Sequence, residues 1–451
     1  MATRLRERPA FRCSECGQTH ARWTGRCTEC QAWGSVSEVG AAPVARRLRA
    51  GTATSKAQPI ATVDEHAARA QPTGVTELDR VLGGGLIAGS VVLLAGEPGV
   101  GKSTLLLAVA DRFAAAGGRT LLVSGEESAA QVRRRAGRTG ALAPELYLAA
   151  ETDLAALLAH VDAVSPTLLV VDSIQTFSHP DVEGAAGGVT QVRECAAALI
   201  RVAKERGIAT VLVGHVTKDG AIAGPRVLEH LVDVVLQFEG EPHTTLRMVR
   251  AVKNRFGAAD EVGCFELTDD GIVGLPDPSG LFLSRRSVGV PGSCVTVTLE
   301  GRRPLVAEVQ ALVVPSQVTA PRRGCSGIDA ARLGMLLAVL ERRGAVPLAG
   351  AEVYAATVGG MRITEPAADL AIALALASAS KGNAVARDVV AIGEVSLTGE
   401  VRRVPGVDRR LAEAARLGFA RALVPPDSGR APDGLAVVEV ADLRSALRAV
   451  G

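Results

Sequence analysis

The sequence predicts an α/β protein of several domains, and three observations carry that prediction. The octamer Gly96-Glu97-Pro98-Gly99-Val100-Gly101-Lys102-Ser103 fits the GxxxxGK[ST] pattern, with an apolar run at 91–95 before it and leucines after it. That is the strand, loop and helix setting a phosphate loop needs. After Thr73-Gly74, apolar runs alternate with longer amphipathic segments, the pattern of a mostly parallel sheet covered by helices. Near the N-terminus, Cys13-x-x-Cys16 and Cys27-x-x-Cys30 mark a separate small module. At 451 residues the chain is too long for one core and predicts roughly two to four domains.

The glycines of the octamer let backbone N–H groups close around the α/β-phosphates at a helix N-terminus. Lys102 then reaches the β/γ oxygens and the Ser103 hydroxyl ligates Mg²⁺. The nucleotide-binding residues are therefore Gly96, Glu97, Pro98, Gly99, Val100, Gly101, Lys102, Ser103 and Thr104, with ATP and Mg²⁺ as the cofactors.

Strands are predicted at 90–95, 119–124, 167–171, 210–214 and 232–238, each a continuous apolar run suited to burial on both faces. Ligands bind at the carboxyl ends of such strands, so the residues that follow them matter most. Asp172 ends one run and either holds Mg²⁺ or its water, completing the nucleotide site, or caps a turn. Glu126 follows another and is the preferred base for polarising an attacking water. Glu127 competes for that role, and a helix-start acid is the plainer alternative. His215 and Lys218 follow the next strand, where His215 can sense the γ-phosphate or be a satisfied structural histidine. In Lys253-Asn254-Arg255-Phe256-Gly257 two cations stand two residues apart on a strand end and point the same way. Lys253 and Arg255 either stabilise transition-state charge on a neighbour's γ-phosphate or form a solvated basic turn.

The two cysteine pairs are ten residues apart, with Gly17 just after the first and Gly25 just before the second. Four thiolates on two tight knuckles close a tetrahedral Zn²⁺ site with no open position, so Cys13, Cys16, Cys27 and Cys30 are structural ligands rather than catalytic ones. An iron–sulfur or redox dithiol reading is less favoured. Apart from Phe11, Trp23 and Trp33 are the module's only large side chains, so metal supplies most of its folding energy. Cys195, Cys264, Cys294 and Cys325 are scattered singly, which favours a reducing compartment over a disulfide framework.

Composition narrows the partners. Aromatic residues make up only 3%, which argues against base stacking as the dominant binding mode. The net charge of +2 on its own predicts no polyanionic partner. The first 56 residues differ, with ten Lys/Arg against four Asp/Glu, which fits nucleic-acid contact or a solvated tail. There is no uninterrupted apolar run of about 18 residues, and the start MATRLRERPAFRC lacks the apolar centre of a signal peptide. A cytoplasmic protein with no membrane partner is expected.

The order of the cysteine pairs, Thr73-Gly74-Val75-Thr76-Glu77-Leu78-Asp79-Arg80-Val81-Leu82-Gly83-Gly84-Gly85, the phosphate loop and Lys253-Asn254-Arg255-Phe256-Gly257 resembles the bacterial RadA (Sms) family of DNA-repair proteins. The resemblance spans essentially the whole chain. It implies a RecA-like DNA-dependent ATPase that assembles as a homo-hexameric ring on single-stranded DNA. It further implies branch migration of recombination intermediates, with branched DNA as substrate and the recombinase RecA as partner. By that resemblance Lys253 and Arg255 act across a subunit interface, and loops 177–189 and 218–226 line the DNA channel. The first loop is glycine-bearing and aperiodic, as mobile ligand loops are. The second holds Lys218 and Arg226, suited to phosphate contacts.

Beyond the proline-containing stretch 275–280, strands are predicted at 295–299, 305–314 and 389–392 and helices at 329–342 and 366–379. Gly359-Gly360-Met361-Arg362-Ile363-Thr364-Glu365-Pro366 and Gly393-Glu394-Val395-Ser396-Leu397-Thr398-Gly399 resemble the Lon-type protease domain. That chemistry needs a serine activated by a lysine. Ala367 stands at the serine position and Asp408 at the lysine position, so no peptidase activity is expected. Arg402, Arg403, Arg409 and Arg410 form a basic stretch for DNA phosphates or a solvated helix face. The organisation predicted is a C4 zinc finger at 1–39, a linker at 40–71, a RecA-like ATPase domain at 72–274 and a Lon-protease-like domain at 281–451 lacking its dyad. A degenerate protease and a KaiC-like signalling ATPase are the competing functions.

Overall fold

The computed structural model describes residues 10–39, 59–62, 69–215, 225–240, 244–283, 289–318 and 320–450. Lys218 and most of the 218–226 loop lie outside them. The chain divides into two compact units, Met1–Asp64 and Glu65–Gly451.

The first unit holds a three-stranded antiparallel sheet in which Ala10–Cys13 lies between Thr19–His20 and Val36–Val39. Its buried core is Cys13, Cys27 and Val36, with Phe11 packed against them. Trp23 and Trp33 remain outside, so this ribbon has even less apolar core than its large side chains suggest.

The second unit opens on the strand Ala70–Gln71, at the end of the stretch read as linker, which pairs with Leu86–Ile87. A nine-stranded sheet follows in the order Gly271–Gly274, Val262–Thr268, Leu246–Asn254, Val234–Gly240, Val91–Gly96, Ala209–His215, Leu168–Asp172, Thr120–Ser124, Leu146–Ala150. From Val234–Gly240 to Leu146–Ala150 all neighbours are parallel, and the three strands at the other edge are antiparallel. The central strands are buried throughout, because each packs on both faces: Val91, Leu93 and Ala95 face one core, Val92 and Leu94 the other. Helix Lys102–Ala115 covers the second face with Leu105, Leu107, Val109 and Phe113. Leu154–Val164 and Val189–Arg206 cover the first. Of the three antiparallel strands the sequence marks only a strand end at Lys253, and the parallel edge strand Leu146–Ala150 is not among the predicted ones. Leu246–Asn254 alternates buried and half-exposed residues, a period-two signal that a search for continuous apolar runs passes over.

The C-terminal part is a seven-stranded mixed sheet in the order Arg323–Ser326, Ala351–Thr357, Arg303–Pro315, Ser293–Glu300, Val389–Ala391, Arg421–Val424, Ala436–Glu439. Asp329 caps helix Ala330–Gly344 by accepting from Arg332 N at 2.7 Å. The helix predicted at 366–379 starts as a 3₁₀ turn, Pro366–Ala368, and continues as the buried helix Asp369–Lys381.

One basic residue is misplaced by the sequence reading. Arg410 is fully buried and cannot touch DNA. On the amphipathic helix Val407–Arg416 it shares the inward face with Val407, Leu411 and Ala414. Its guanidinium donates to Pro405 O (3.1 Å), Val297 O (2.6 Å) and both Glu365 carboxylate oxygens (2.5 and 2.6 Å). Arg402, Arg403 and Arg409 are exposed, and Arg402 pairs with Glu400 at 2.9 Å. Ala367 is buried and Asp408 exposed, so no nucleophile and base meet where the protease motif would put them.

Candidate functional site

Four parallel strands deliver the site from their carboxyl ends. After Val91–Gly96 the chain wraps through Glu97 to Gly101 and enters helix Lys102–Ala115, with Gly101 at the N-cap in the left-handed region (φ 110°). Lys102 is buried and folded back on its own loop, donating from Nζ to Gly96 O at 2.9 Å and Glu97 O at 2.8 Å. Burial lowers its pKa, while the charges of Asp172 and Glu126 act in the opposite direction. Arg247, buried on the antiparallel strand two places along the sheet from Val91–Gly96, supports the loop by donating to Val100 O at 3.0 Å. Ser103 and Thr104 stand half-buried on the first helical turn.

Asp172 ends the adjoining strand and is buried. Burial raises its pKa although the Ser103 hydroxyl hydrogen-bonds it, and its Oδ1 has no partner among the described residues. A buried carboxylate oxygen left open beside a serine hydroxyl is a donor set that suits a hard divalent cation.

Glu126 and Glu127 diverge. Gly125 lets the turn press against the next strand's exit, since a methyl there would lie 2.0 Å from Thr176 Oγ1. Glu126 Oε1 accepts from the Ser173 hydroxyl at 2.6 Å and lies 2.7 Å from His215 Nε2. Glu127 is drawn aside by Arg135, at 2.6 Å. Burial pushes the Glu126 pKa up, but the Ser173 hydrogen bond, His215 and Lys102 bring it below the usual carboxylate value. Gln175 Nε2 donates to His215 O at 3.3 Å, and both Gln175 Oε1 and His215 Nδ1 are buried without partners among the described residues. Ser173, Gln175 and Arg247 escaped the sequence reading, because no spacing rule marks a side chain that arrives from another strand of the sheet.

Lys253 and Arg255 are not part of this cluster. Leu246–Asn254 runs antiparallel to Val234–Gly240, so Asn254 pairs with Val234 and Val234 with Val92, whereas Phe238 pairs with Gly96. The two cations therefore sit at the opposite end of the sheet from the phosphate loop, about four residues or ~13 Å along the strands. Lys253 Nζ donates to Glu229 O (2.7 Å) and Val232 O (2.8 Å), and Arg255 pairs with Asp233 at 3.4 Å. Asn254 Nδ2 donates to Val81 O and Leu82 O at 3.3 and 3.2 Å. A methyl on Gly83 would lie 3.5 Å from Gly257 Cα, so the two glycine-bearing motifs pack directly together.

The loop at 177–189 differs in part from expectation. Phe177 is fully buried in the core and cannot face a channel. Buried Gln191 ties the loop down, accepting from His179 N at 2.8 Å and donating to Val182 O at 2.5 Å. Its exposed part carries Asp181 and Glu183 and no lysine or arginine.

In the N-terminal unit the four sulfurs of Cys13, Cys16, Cys27 and Cys30 all lie within 4.8 Å of one another. Cys13 to Cys30 and Cys16 to Cys27 are each 3.6 Å. A tetrahedron of Zn–S bonds has sulfur edges of about 3.8 Å, so the four fit zinc. The Cys30 N–H, with further donors including Glu29 N, brings Cys27 down to about 6. Cys30, against a lowering hydrogen bond from Ala32, is pushed up to about 12 by burial and by the sulfurs of Cys16, Cys13 and Cys27. Four thiols this close cannot all ionise unaided, and a divalent cation removes that conflict.

Known proteins match this chain over most of its length. Residues 54–221 match the AAA domain family, residues 11–38 the rubredoxin metal binding domain and residues 359–428 the subunit ChlI of Mg-chelatase. The DNA repair protein RadA of Mycolicibacterium smegmatis is 56% identical over 450 residues, covering 98% of this chain and 96% of that protein. Those of Mycobacterium tuberculosis and Bacillus subtilis are 55% and 44% identical, over 98% and 97% of this chain and 93% and 97% of theirs. Among solved structures, a KaiC-like protein of Pyrococcus horikoshii is 24% identical with a TM-score of 0.40, covering 46% of this chain and all of that one. Among the described residues no helix is long and apolar enough to cross a membrane.

Proposed function

Because this chain belongs to the RadA family of DNA repair proteins and carries an ATPase core, we propose that it is a DNA-dependent ATPase that works as a ring on single-stranded DNA and branch-migrates recombination intermediates with RecA. The observation that carries the ring is the position of Lys253 and Arg255, which cannot serve the phosphates of their own chain from the far end of the sheet. In a closed ring of identical subunits the same end faces a neighbour's site.

In this reading Lys102 leaves the Gly96 and Glu97 carbonyls for the β/γ oxygens of ATP, and the loop N–H groups from Gly99 to Thr104 cradle the phosphates. Ser103 and Asp172 would hold Mg²⁺, which would supply positive charge to the phosphates. Glu126 orients the attacking water and takes its proton. His215 and Ser173 keep Glu126 ionised, and the Gln175 bond to the His215 carbonyl passes the nucleotide state to the segment after His215. The 218–226 loop, with Lys218 and Arg226, supplies DNA phosphate contacts. The acidic 177–189 loop can add backbone N–H groups but no cation. The C-terminal domain serves assembly without peptidase chemistry, and the protein acts in the cytoplasm.

The test is ATP hydrolysis with and without single-stranded DNA, with Lys102→Ala as blank. Stimulation is expected, and none at all would favour a signalling ATPase. Mixing Lys102→Ala with Arg255→Ala subunits should restore hydrolysis, because a phosphate loop from one then meets a cation from the other. Mixtures as inactive as their components would contradict action across an interface.

A further inference from the structure

The chain has only two tryptophans, Trp23 and Trp33, and both stand on the zinc ribbon with 63% and 77% of their surface exposed. The ribbon's small core of Cys13, Cys27, Val36 and Phe11 does not take them in. They converge over the one residue between them that lacks a side chain: a methyl on Gly25 would lie 3.7 Å from Trp23 Cη2 and 4.0 Å from Trp33 Cζ3. The Arg26 guanidinium stacks on Trp33, 5.6 Å from the ring centroid. It is held there by donating to Gln31 O at 2.9 Å and Gln31 Oε1 at 2.6 Å. Arg12 is steadied by Gly17 O at 3.0 Å. Arg12, Arg22 and Arg26 are exposed, and none has a carboxylate partner among the described residues.

We propose that the Trp23–Trp33 face of the zinc ribbon is a stacking platform for the bases of single-stranded DNA, with Arg22 and Arg26 meeting the backbone phosphates. Indole faces stack on any base, and arginines without acidic partners supply the positive charge that the polyanion requires. The zinc cluster gives the platform its rigidity, since both rings hang from the knuckles that the metal closes. The low aromatic content of the chain conceals this surface, because its whole tryptophan complement is gathered in one small module.

The inference rests on the reading of DNA as the ATPase effector, and the experiment separates the two. Intrinsic tryptophan fluorescence of the full-length zinc-loaded protein reports on this ribbon alone. Titration with oligo(dT) is followed by that fluorescence and, in parallel, by anisotropy of a labelled oligo(dT). Quenching that tracks the anisotropy rise is expected. Trp23→Ala and Trp33→Ala should each weaken binding by roughly tenfold, and Trp33→Phe should recover part of the loss. Zinc content and DNA-free hydrolysis should stay unchanged, which shows that the variants fold. An anisotropy rise without quenching, or alanine variants that bind equally well, would overturn the platform and leave the motor intact. Variants that bind DNA normally but no longer capture RecA would assign the face to a protein partner and overturn it too. No anisotropy change with the wild-type protein would remove both readings.

Discussion

Glu126 Oε1 and His215 Nε2 lie 2.7 Å apart, reaching across the end of the strand Leu168–Asp172 that separates their own strands in the sheet. With the Ser173 hydroxyl also donating to Glu126, one carboxylate gathers three strand ends. Burial raises the Glu126 pKa, and Ser173, His215 and Lys102 together bring it below the ordinary carboxylate value. A depressed acid stays ionised as pH falls, so the acid limb of kcat for ATP hydrolysis should lie below the usual carboxylate range. Ser173→Ala and His215→Asn should move that limb to higher pH, and Glu126→Gln should lower kcat by about 10²- to 10⁴-fold at neutral pH. A pH–rate profile of each variant checks this.

Glu77, on the helix Thr76–Leu82 of the ATPase core, and Arg303, on the C-terminal strand Arg303–Pro315, form a buried ion pair at 0% and 7% side-chain exposure. Arg303 also donates to Val262 O (3.1 Å), Leu275 O (3.2 Å) and Pro276 O (2.7 Å), while Glu77 accepts from Cys264 N at 2.9 Å. Arg303→Met leaves the buried Glu77 charge with only the half-exposed Arg80, 3.4 Å away, as ionic partner, a loss of about 3 kcal/mol. The double variant Glu77→Leu, Arg303→Met should recover much of it. Urea unfolding midpoints of the three proteins decide the matter.

Removing zinc should affect the two units unequally. The ribbon's core is Cys13, Cys27, Val36 and part of Phe11, so without metal it has little to hold it folded. A chelator, or Cys27→Ser, should open residues 10–39 to protease while leaving DNA-free hydrolysis intact. Limited proteolysis and an ATPase assay on the same sample measure both.

Neighbouring arginines should behave oppositely. Arg410→Ala strips the Glu365 carboxylate of its partner and should cost about 3 kcal/mol, read as a lower unfolding midpoint. Arg409→Ala, on the exposed face of the same helix, should leave stability within about 0.5 kcal/mol. Thermal denaturation of the pair tests it.

What could be read from the sequence was whatever depends on neighbours along the chain. The phosphate loop, the buried parallel strands and the cysteine knuckles are each written in a handful of consecutive residues, and each is found where the sequence predicts it. Only the end of Leu246–Asn254 was legible, because its one-sided burial breaks the apolar run, and Gln175 was missed because its partner is 40 residues away.

The sequence by itself determined that this protein holds a nucleotide on an α/β core and binds zinc through four cysteines, because these follow from residue identity and local spacing. Only the tertiary structure decided which of Glu126 and Glu127 faces the site, that Arg410 is buried, that Lys253 and Arg255 stand at the far end of the sheet, and that both tryptophans are exposed. The direction of a side chain depends on what packs against it. Arg135, Glu365, an antiparallel neighbour and a core too small for an indole make those choices, and none of them can be recognised from the local sequence around the residue it directs.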